Sequence, residues 1–416
     1  MFLHRLVLAA RCLVSLSCLV SRVSCLVSRE SERRRSFISS SVGLRSLDLG
    51  ASICRRVLKI EEEEMGDDAL DRDARIKLSI GTKQESEADG LFANPRGLVF
   101  DHHRGLLLVV DDYNNHRVQV FSCDGGSFVS KFGKKGEQPG QFHRPDGIAI
   151  DHDHDRILIV DSSNHRVQSW SLSEQSFLSC TGHRGSGDLE FKWPQGIAID
   201  KHHHRIIISD SYNHRLVFLL SIDLSFLFSV GGKRGSRPGE FCYPSGIAID
   251  DDRHRVIVVD TKNHRVQVMS SIDGSFLFEF GYLGDQPGQF RDPLAVCIAN
   301  QGRIIVADSY NYRLQSFTHE GHHISSFDCG SENPRAVAFD EHRGLIAFAA
   351  GHRVHVIGAN QWLDDTFTWR PHLHRYAPSW MKRTVSTMTM IRSLVDERSA
   401  MSMIPNELLF EIFSFL

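Results

Sequence analysis

A six-residue string, D-x-x-N-x-R, occurs five times in this chain, ending at Arg117, Arg166, Arg215, Arg265 and Arg313. The arginines stand 49, 49, 50 and 48 residues apart, a period that belongs to propeller blades or solenoid repeats. One supersecondary unit is therefore copied along most of the 416-residue chain, and copies of this kind bury their apolar faces by stacking on one another.

The fourth copy shows the unit most clearly. Pro244-Ser245-Gly246-Ile247-Ala248-Ile249-Asp250 is followed by a polar turn, Arg255 to Asp260, the string, Val266 to Met269, and Asp273 to Gly281. Each apolar run is short, β-branched or aromatic, and bounded by turn residues, so it reads as a strand and is too short for a helix. The unit is a four-stranded hairpin series. Six prolines open the copies, at 95, 145, 194, 244, 293 and 334. The sixth copy runs out after Arg353 to Ile357, while Ile76 to Gly81, ahead of the first copy, repeats the text of a fourth strand. The expected fold is an all-β six-bladed propeller in which strand 76–81 completes the last blade and removes two open sheet edges. A short helical C-terminal extension follows it.

P-x-G-I-A-I-D, I-I-V-x-D-S-x-N-x-R-V-Q-V-F and F-x-F-G-x-x-G-x-x-P-G-x-F resemble NHL repeats, across residues 76–358. The resemblance implies a six-bladed propeller that binds protein or, in some members, single-stranded RNA. One member class is an amidating lyase with a metal held by axial histidines. Blade six departs from the pattern, with Gly351-His352-Arg353 in place of the string.

Within the string, a buried Asp at a strand end needs donors, and Arg five residues on supplies a charge-assisted pair across the turn or to the next blade. Asp112 with Arg117, Asp161 with Arg166, Asp210 with Arg215, Asp260 with Arg265, and Asp308 with Arg313 are expected to act as structural latches. The Asn suits a position with φ > 0. His116, His165, His214 and His264 share one place, where Tyr312 stands in the fifth copy, so an imidazole is not required there. The changing pairs Tyr113-Asn114, Ser162-Ser163, Ser211-Tyr212, Thr261-Lys262 and Ser309-Tyr310 are the expected contact residues.

Alternating connections of a four-stranded meander put the inter-blade loops and the string turns on one face. That face gathers Tyr113, Lys134, Lys135, His183, Arg184, Tyr212, Lys233, Arg234, Arg237, Lys262, Tyr282 and Tyr310, and is the expected partner-binding face. Asp151, Asp153, Asp155, Asp250, Asp251, Asp252 and Glu341 fall on the other, which is expected to be acidic. Its turns also carry His102-His103, His152, His154, His202-His203-His204 and His254. Tandem exposed histidines lack a fixed geometry, so no metal, cofactor or catalytic residue is assigned.

The flanks read differently. Residues 1–64 form a basic leader of low complexity. Its Arg- and Ser-rich, acid-poor composition up to residue 59 fits a mitochondrial transit peptide, and the alternative is a non-structural stretch ahead of a start at Met65. Its apolar run from Leu6 to Val20 is short for a membrane span. Residues 359–416 form a helical tail. There Leu408, Leu409, Ile412, Phe413 and Leu416 make one helical stripe after Pro405. This text resembles the first helix of an F-box, which implies a Skp/cullin-type adaptor as partner.

A formal net charge of -3 predicts no bulk attraction to nucleic acid or membrane. Cysteines without a C-x-x-C pair give no zinc-binding spacing and suit a reducing, cytoplasmic setting. With these exclusions, the two resemblances imply a non-enzymatic scaffold that binds a protein partner and serves ubiquitin-ligase recognition. Single-stranded RNA binding is the alternative, and a metal-dependent lyase the remote one.

Overall fold

The computed structural model describes residues 76–359. The expected basic leader, the helical tail beyond residue 359 and its stripe at 408–416 lie outside them. The described residues form six four-stranded antiparallel sheets arranged as the blades of a propeller. Blade one is Pro95–Asp101, Leu106–Asp111, Arg117–Ser122 and Phe128–Phe132. Blades two to five begin at Pro145, Pro194, Pro244 and Ala295 and repeat that order. Blade six contains Pro334–Asp340, Leu345–Ala350 and Arg353–Gly358, with Ile76–Gly81 paired antiparallel to the last of these. Ile80 faces Val354 and Gly81 faces Arg353 across that pairing.

Burial follows position in the blade. The second strand is covered on both sides by neighbouring blades, so it is apolar at consecutive positions, as in Arg156–Asp161, which is buried throughout. The outermost strand has one open side and alternates, as in Phe276–Phe280. The apolar core is a ring of six clusters, each between adjacent blades. One joins Ile207, Phe218 and Phe241 to Val256, Val258 and Met269. No helix among the described residues is long and apolar enough to cross a membrane.

Two glycine places let the blades close up. In the inner strands, a Cβ on Gly97, Gly147 or Gly196 would lie 2.2, 2.3 or 2.2 Å from the next blade's carbonyl oxygen. Only a residue without a side chain permits that approach. At the end of the outer strand, Gly133 (φ +83) and Gly281 (φ +84) adopt left-handed conformations beneath the rings of Phe142 and Phe290. Those two phenylalanines are fully buried, as are Phe92, Phe191 and Phe241, and together they plug the inter-blade loops.

Candidate functional site

The loop face is held by the recurring string, and the geometry repeats from blade to blade. Asp161 accepts from the Arg166 Nε at 2.8 Å, and its other oxygen takes the backbone N–H of His143 at 2.7 Å. The Arg166 terminal nitrogens donate to the carbonyls of Glu137, Gln138 and Gln141. The pair therefore grips the loop leading into its own blade. Asp210 with Arg215, Asp260 with Arg265, and Asp308 with Arg313 pair at 2.9, 2.9 and 2.8 Å. Gln168 completes the grip by donating to Asp161 and to the Gln141 carbonyl while accepting from the Gly140 N–H. Gln119, Gln267 and Gln315 occupy the same place, and all four glutamines are fully buried. The Val-Gln or Leu-Gln text after the arginine in four of the five strings carries this signal.

Four expectations change. Blade one has an inserted residue, so Arg117 pairs with Asp111 at 3.3 Å and not with Asp112. Asp112 instead accepts from the Asn94 amide at 3.3 Å and lies 3.4 Å from the Arg96 guanidinium. The left-handed residue of the string is not Asn: His116, His165, His214, His264 and Tyr312 have φ between 46° and 56°. The asparagines bond inward, as Asn164 does to Asp161 and to the Gly136 carbonyl, both at 2.9 Å. Each of those histidines also has work to do. The Nδ1 atoms of His116, His165, His214 and His264 accept the backbone N–H of Arg144, Trp193, Tyr243 and Asp292, the residues that precede the next blade.

The fourth change concerns the contact residues. Ser162, Ser211, Thr261 and Ser309 are buried, and their hydroxyls donate to the carbonyls of Pro194, Pro244, Pro293 and Pro334 in the following blade. They clasp blades together and are closed to a partner. The neighbours one place on are open, with Tyr113, Tyr212 and Tyr310 exposed by 55%, 45% and 54%. Lys262 is exposed but spends its charge on Asp292 at 2.6 Å.

Over blades two to four the face carries an aromatic ledge. Tyr212 lies 6.0 Å from Trp193 and 4.9 Å from Tyr243, centre to centre. The Arg144 guanidinium sits 5.6 Å above Trp193, and that of Arg234 sits 5.7 Å above Tyr243. Trp193, Tyr243 and Arg144 share the left-handed place before a strand-opening proline, and sequence reading passed over all three. Lys134, Lys135, Arg184, Lys233 and Arg234 are exposed around the ledge. The loops holding them are ordered by short parallel bridges, Lys135 to Phe142, Arg184 to Phe191 and Arg234 to Phe241. In blade five the equivalent place is Leu283, exposed beside Tyr282. Basic and aromatic groups are thus concentrated on one half of the face.

At the axis, Arg96, Asp146, Gln195, Ser245, Leu294 and Arg335 ring the channel mouth. Arg96 and Asp146 lie 3.3 Å apart, and burial among protein atoms pushes the Asp146 carboxyl up to about 6 against the opposing pull of Arg96. The axial cavity is about 110 Å³, well below the roughly 300 Å³ at which small-molecule pockets begin. A groove of about 540 Å³ beside the outer strand of blade six contains Glu332, Arg353 and His355. There Arg353 and Glu332 pair at 2.6 Å.

The opposite face is less acidic than expected. Asp151 and Asp250 are buried and engaged by Arg156 and Arg253. The histidine turns have more order than their text implied. Nitrogens of His102, His103 and His152 lie within 4.8 Å of one another, and so do those of His202, His203 and His254.

Comparison with known families agrees with this architecture. Residues 94–186 match a family described as a 6-bladed beta-propeller, and residues 241–269 and 290–317 match the NHL repeat. No curated protein is significantly similar to the chain. The chain carries NHL repeats within a six-bladed β-propeller.

Proposed function

We propose that this propeller is a protein-interaction scaffold whose loop face over blades two to four takes an acidic protein segment. The observation that carries this reading is the ledge of Trp193, Tyr212 and Tyr243, flanked by Arg144, Arg184 and Arg234. Exposed aromatic and arginine side chains on a rigid support have the chemistry of interface hot spots, and the string and its clasps provide the support. Affinity purification with the full chain and with a Tyr212→Ala/Arg234→Glu variant tests it. A protein captured stoichiometrically by the first and lost by the second is expected. Equal capture by both sinks the proposal.

Stacking surfaces beside cations also suit single-stranded RNA, which is the second reading. If RNA is the ligand, nuclease treatment abolishes the difference between the two samples, and affinity falls steeply with salt. A ubiquitin-ligase use rests on the sequence of the tail alone. It predicts co-purification of a Skp/cullin-type adaptor that disappears when Leu408, Ile412 and Phe413 are replaced together. We further propose that strand Ile76–Gly81 closes the ring, supported by its register on Arg353–Gly358.

A further inference from the structure

On the face opposite the ledge, two turns from adjacent blades bring three imidazoles together. His202 and His203 belong to the first hairpin turn of blade three and His254 to that of blade four, with one nitrogen of each within 4.8 Å of the others. We propose that His202, His203 and His254 form a binding site for a divalent transition metal of the zinc type, bridging blades three and four.

Imidazole nitrogens suit zinc, nickel and copper, whereas oxygen-rich sites suit calcium and magnesium. Three nitrogens around a tetrahedral zinc stand about 3.3 Å apart when each bond is about 2.05 Å. Closing the observed spread of up to 4.8 Å to that distance is a shift of the size that side-chain rotation supplies. His202 is exposed and free to supply it.

Two further observations set this cluster apart from a chance meeting of surface histidines. The Nδ1 of His203 lies 2.8 Å from a carboxylate oxygen of Asp200, a buried residue whose other oxygen accepts the His203 backbone N–H at 3.0 Å. A carboxylate behind a histidine fixes its orientation and directs the remaining nitrogen, Nε2, to a metal. His254 contributes an orphan: its Nδ1 is out of contact with water and has no hydrogen-bond partner among the described residues. Asp251 and Asp252 beside the cluster add negative charge, against Lys201 near Asp251 and Arg253 next to His254, the latter paired with Asp250 at 3.3 Å.

The second triad, His102, His103 and His152, lacks these supports. His342 stacks on His102 at 4.7 Å, and Lys201 and Arg104 add positive charge there, offset in part by the Asp101 carboxylate. No carboxylate hydrogen bond to its three histidines is found among the described residues. The blade three–four site is therefore the one expected to load.

Equilibrium dialysis of the full chain against Zn²⁺ at pH 7.5, read by elemental analysis, tests the assignment. One zinc per chain is expected, lost by His203→Ala and by the His202→Gln/His254→Gln double variant, and kept by His102→Gln/His152→Gln. Asp200→Asn should weaken binding about 10- to 100-fold. Circular dichroism identifies any variant that fails to fold, and whichever of the two variants folds then decides. A second zinc lost only in the His102→Gln/His152→Gln protein leaves the proposal standing. Absence of saturable binding below about 100 µM, or binding indifferent to His203 and His254, overturns it.

Discussion

Between blades two and three the interface is clasped twice on the loop face, by the Ser162 hydroxyl on the Pro194 carbonyl and by the Trp193 N–H on the His165 ring. At the seam between blade six and blade one the string is missing and the contacts are of another kind. The His352 Nδ1 meets the Ala93 carbonyl, so this ring donates where the others accept. The Arg335 guanidinium donates to the Asn94 side chain. Ile76–Gly81 pairs there with Arg353–Gly358, from the other end of the described chain. Regular interfaces are thus built from local turns repeated in register, whereas the blade at the seam contains one long-range pairing. Such a pairing carries the full cost of loop closure and none of the redundancy.

The largest expected effect follows from that contrast. Deleting residues 76–81 uncovers Val354 and Val356 and leaves an open edge on blade six. Cooperative unfolding, followed by tryptophan fluorescence in urea, should give way to a broad transition or to aggregation. An unchanged midpoint would show that the ring does not depend on this strand.

Within a regular blade, Asp161→Ala leaves the Arg166 guanidinium buried without its carboxylate. Removing one partner of such a pair costs about 3–5 kcal/mol. In blade one the same loss is expected for Asp111→Ala, because Arg117 pairs with Asp111. Comparing Asp111→Ala with Asp112→Ala by denaturant unfolding tests the inserted-residue register directly.

The interface hydroxyls are worth less. Ser211→Ala removes a buried bond to the Pro244 carbonyl, at a cost of about 1–2 kcal/mol. If Ser211 were instead a contact residue, stability would hold and partner binding would fall.

The histidine clasps make the regular interfaces sensitive to acid. Burial holds His116 down to about 4 from its ordinary value of 6.5, and lowers His165 and His214 as well. A lowered folded pKa means that the neutral ring is stabilised by folding. Its contribution is complete above about pH 6.5 and is lost as pH falls towards 4. The carboxylates Asp111, Asp210 and Asp308 are raised by burial and act with the opposite sign. The difference between wild type and His116→Asn isolates the histidine term, since Asn accepts a hydrogen bond, tolerates φ > 0 and does not titrate. That difference should shrink between pH 7 and pH 5. The smallest stability effect is expected for Tyr212→Ala, within about 0.5 kcal/mol, with its consequence confined to binding.

Much of this architecture was legible because period and alternation report directly on burial. Strands, blade count and the loop face follow from spacing alone, since a meander's connections must alternate ends. The string's chemistry was legible in kind, as buried Asp with Arg, but its register in blade one was not. Asp111 and Asp112 are adjacent in the text, and only the pairing of Asp111 with Arg117 across the turn separates them. The site was harder to read. Ser211 and Tyr212 are neighbours of similar sequence status, yet one points into the next blade and the other to solvent, because the 3-10 turn rotates successive side chains apart.

Sequence by itself determined that this chain repeats a four-stranded unit, that Asp and Arg recur at its turns, and that histidines crowd one set of loops. Tertiary structure alone decided which residues meet. Trp193 and Tyr212 come from different loops of blade three, and Tyr243 joins them from the loop into blade four. His203 and His254 are 51 residues apart in the chain and within 4.8 Å in space. The physical reason is that local periodicity fixes what each blade is, while contacts between blades depend on the angle at which identical units pack around an axis. No single repeat encodes that angle.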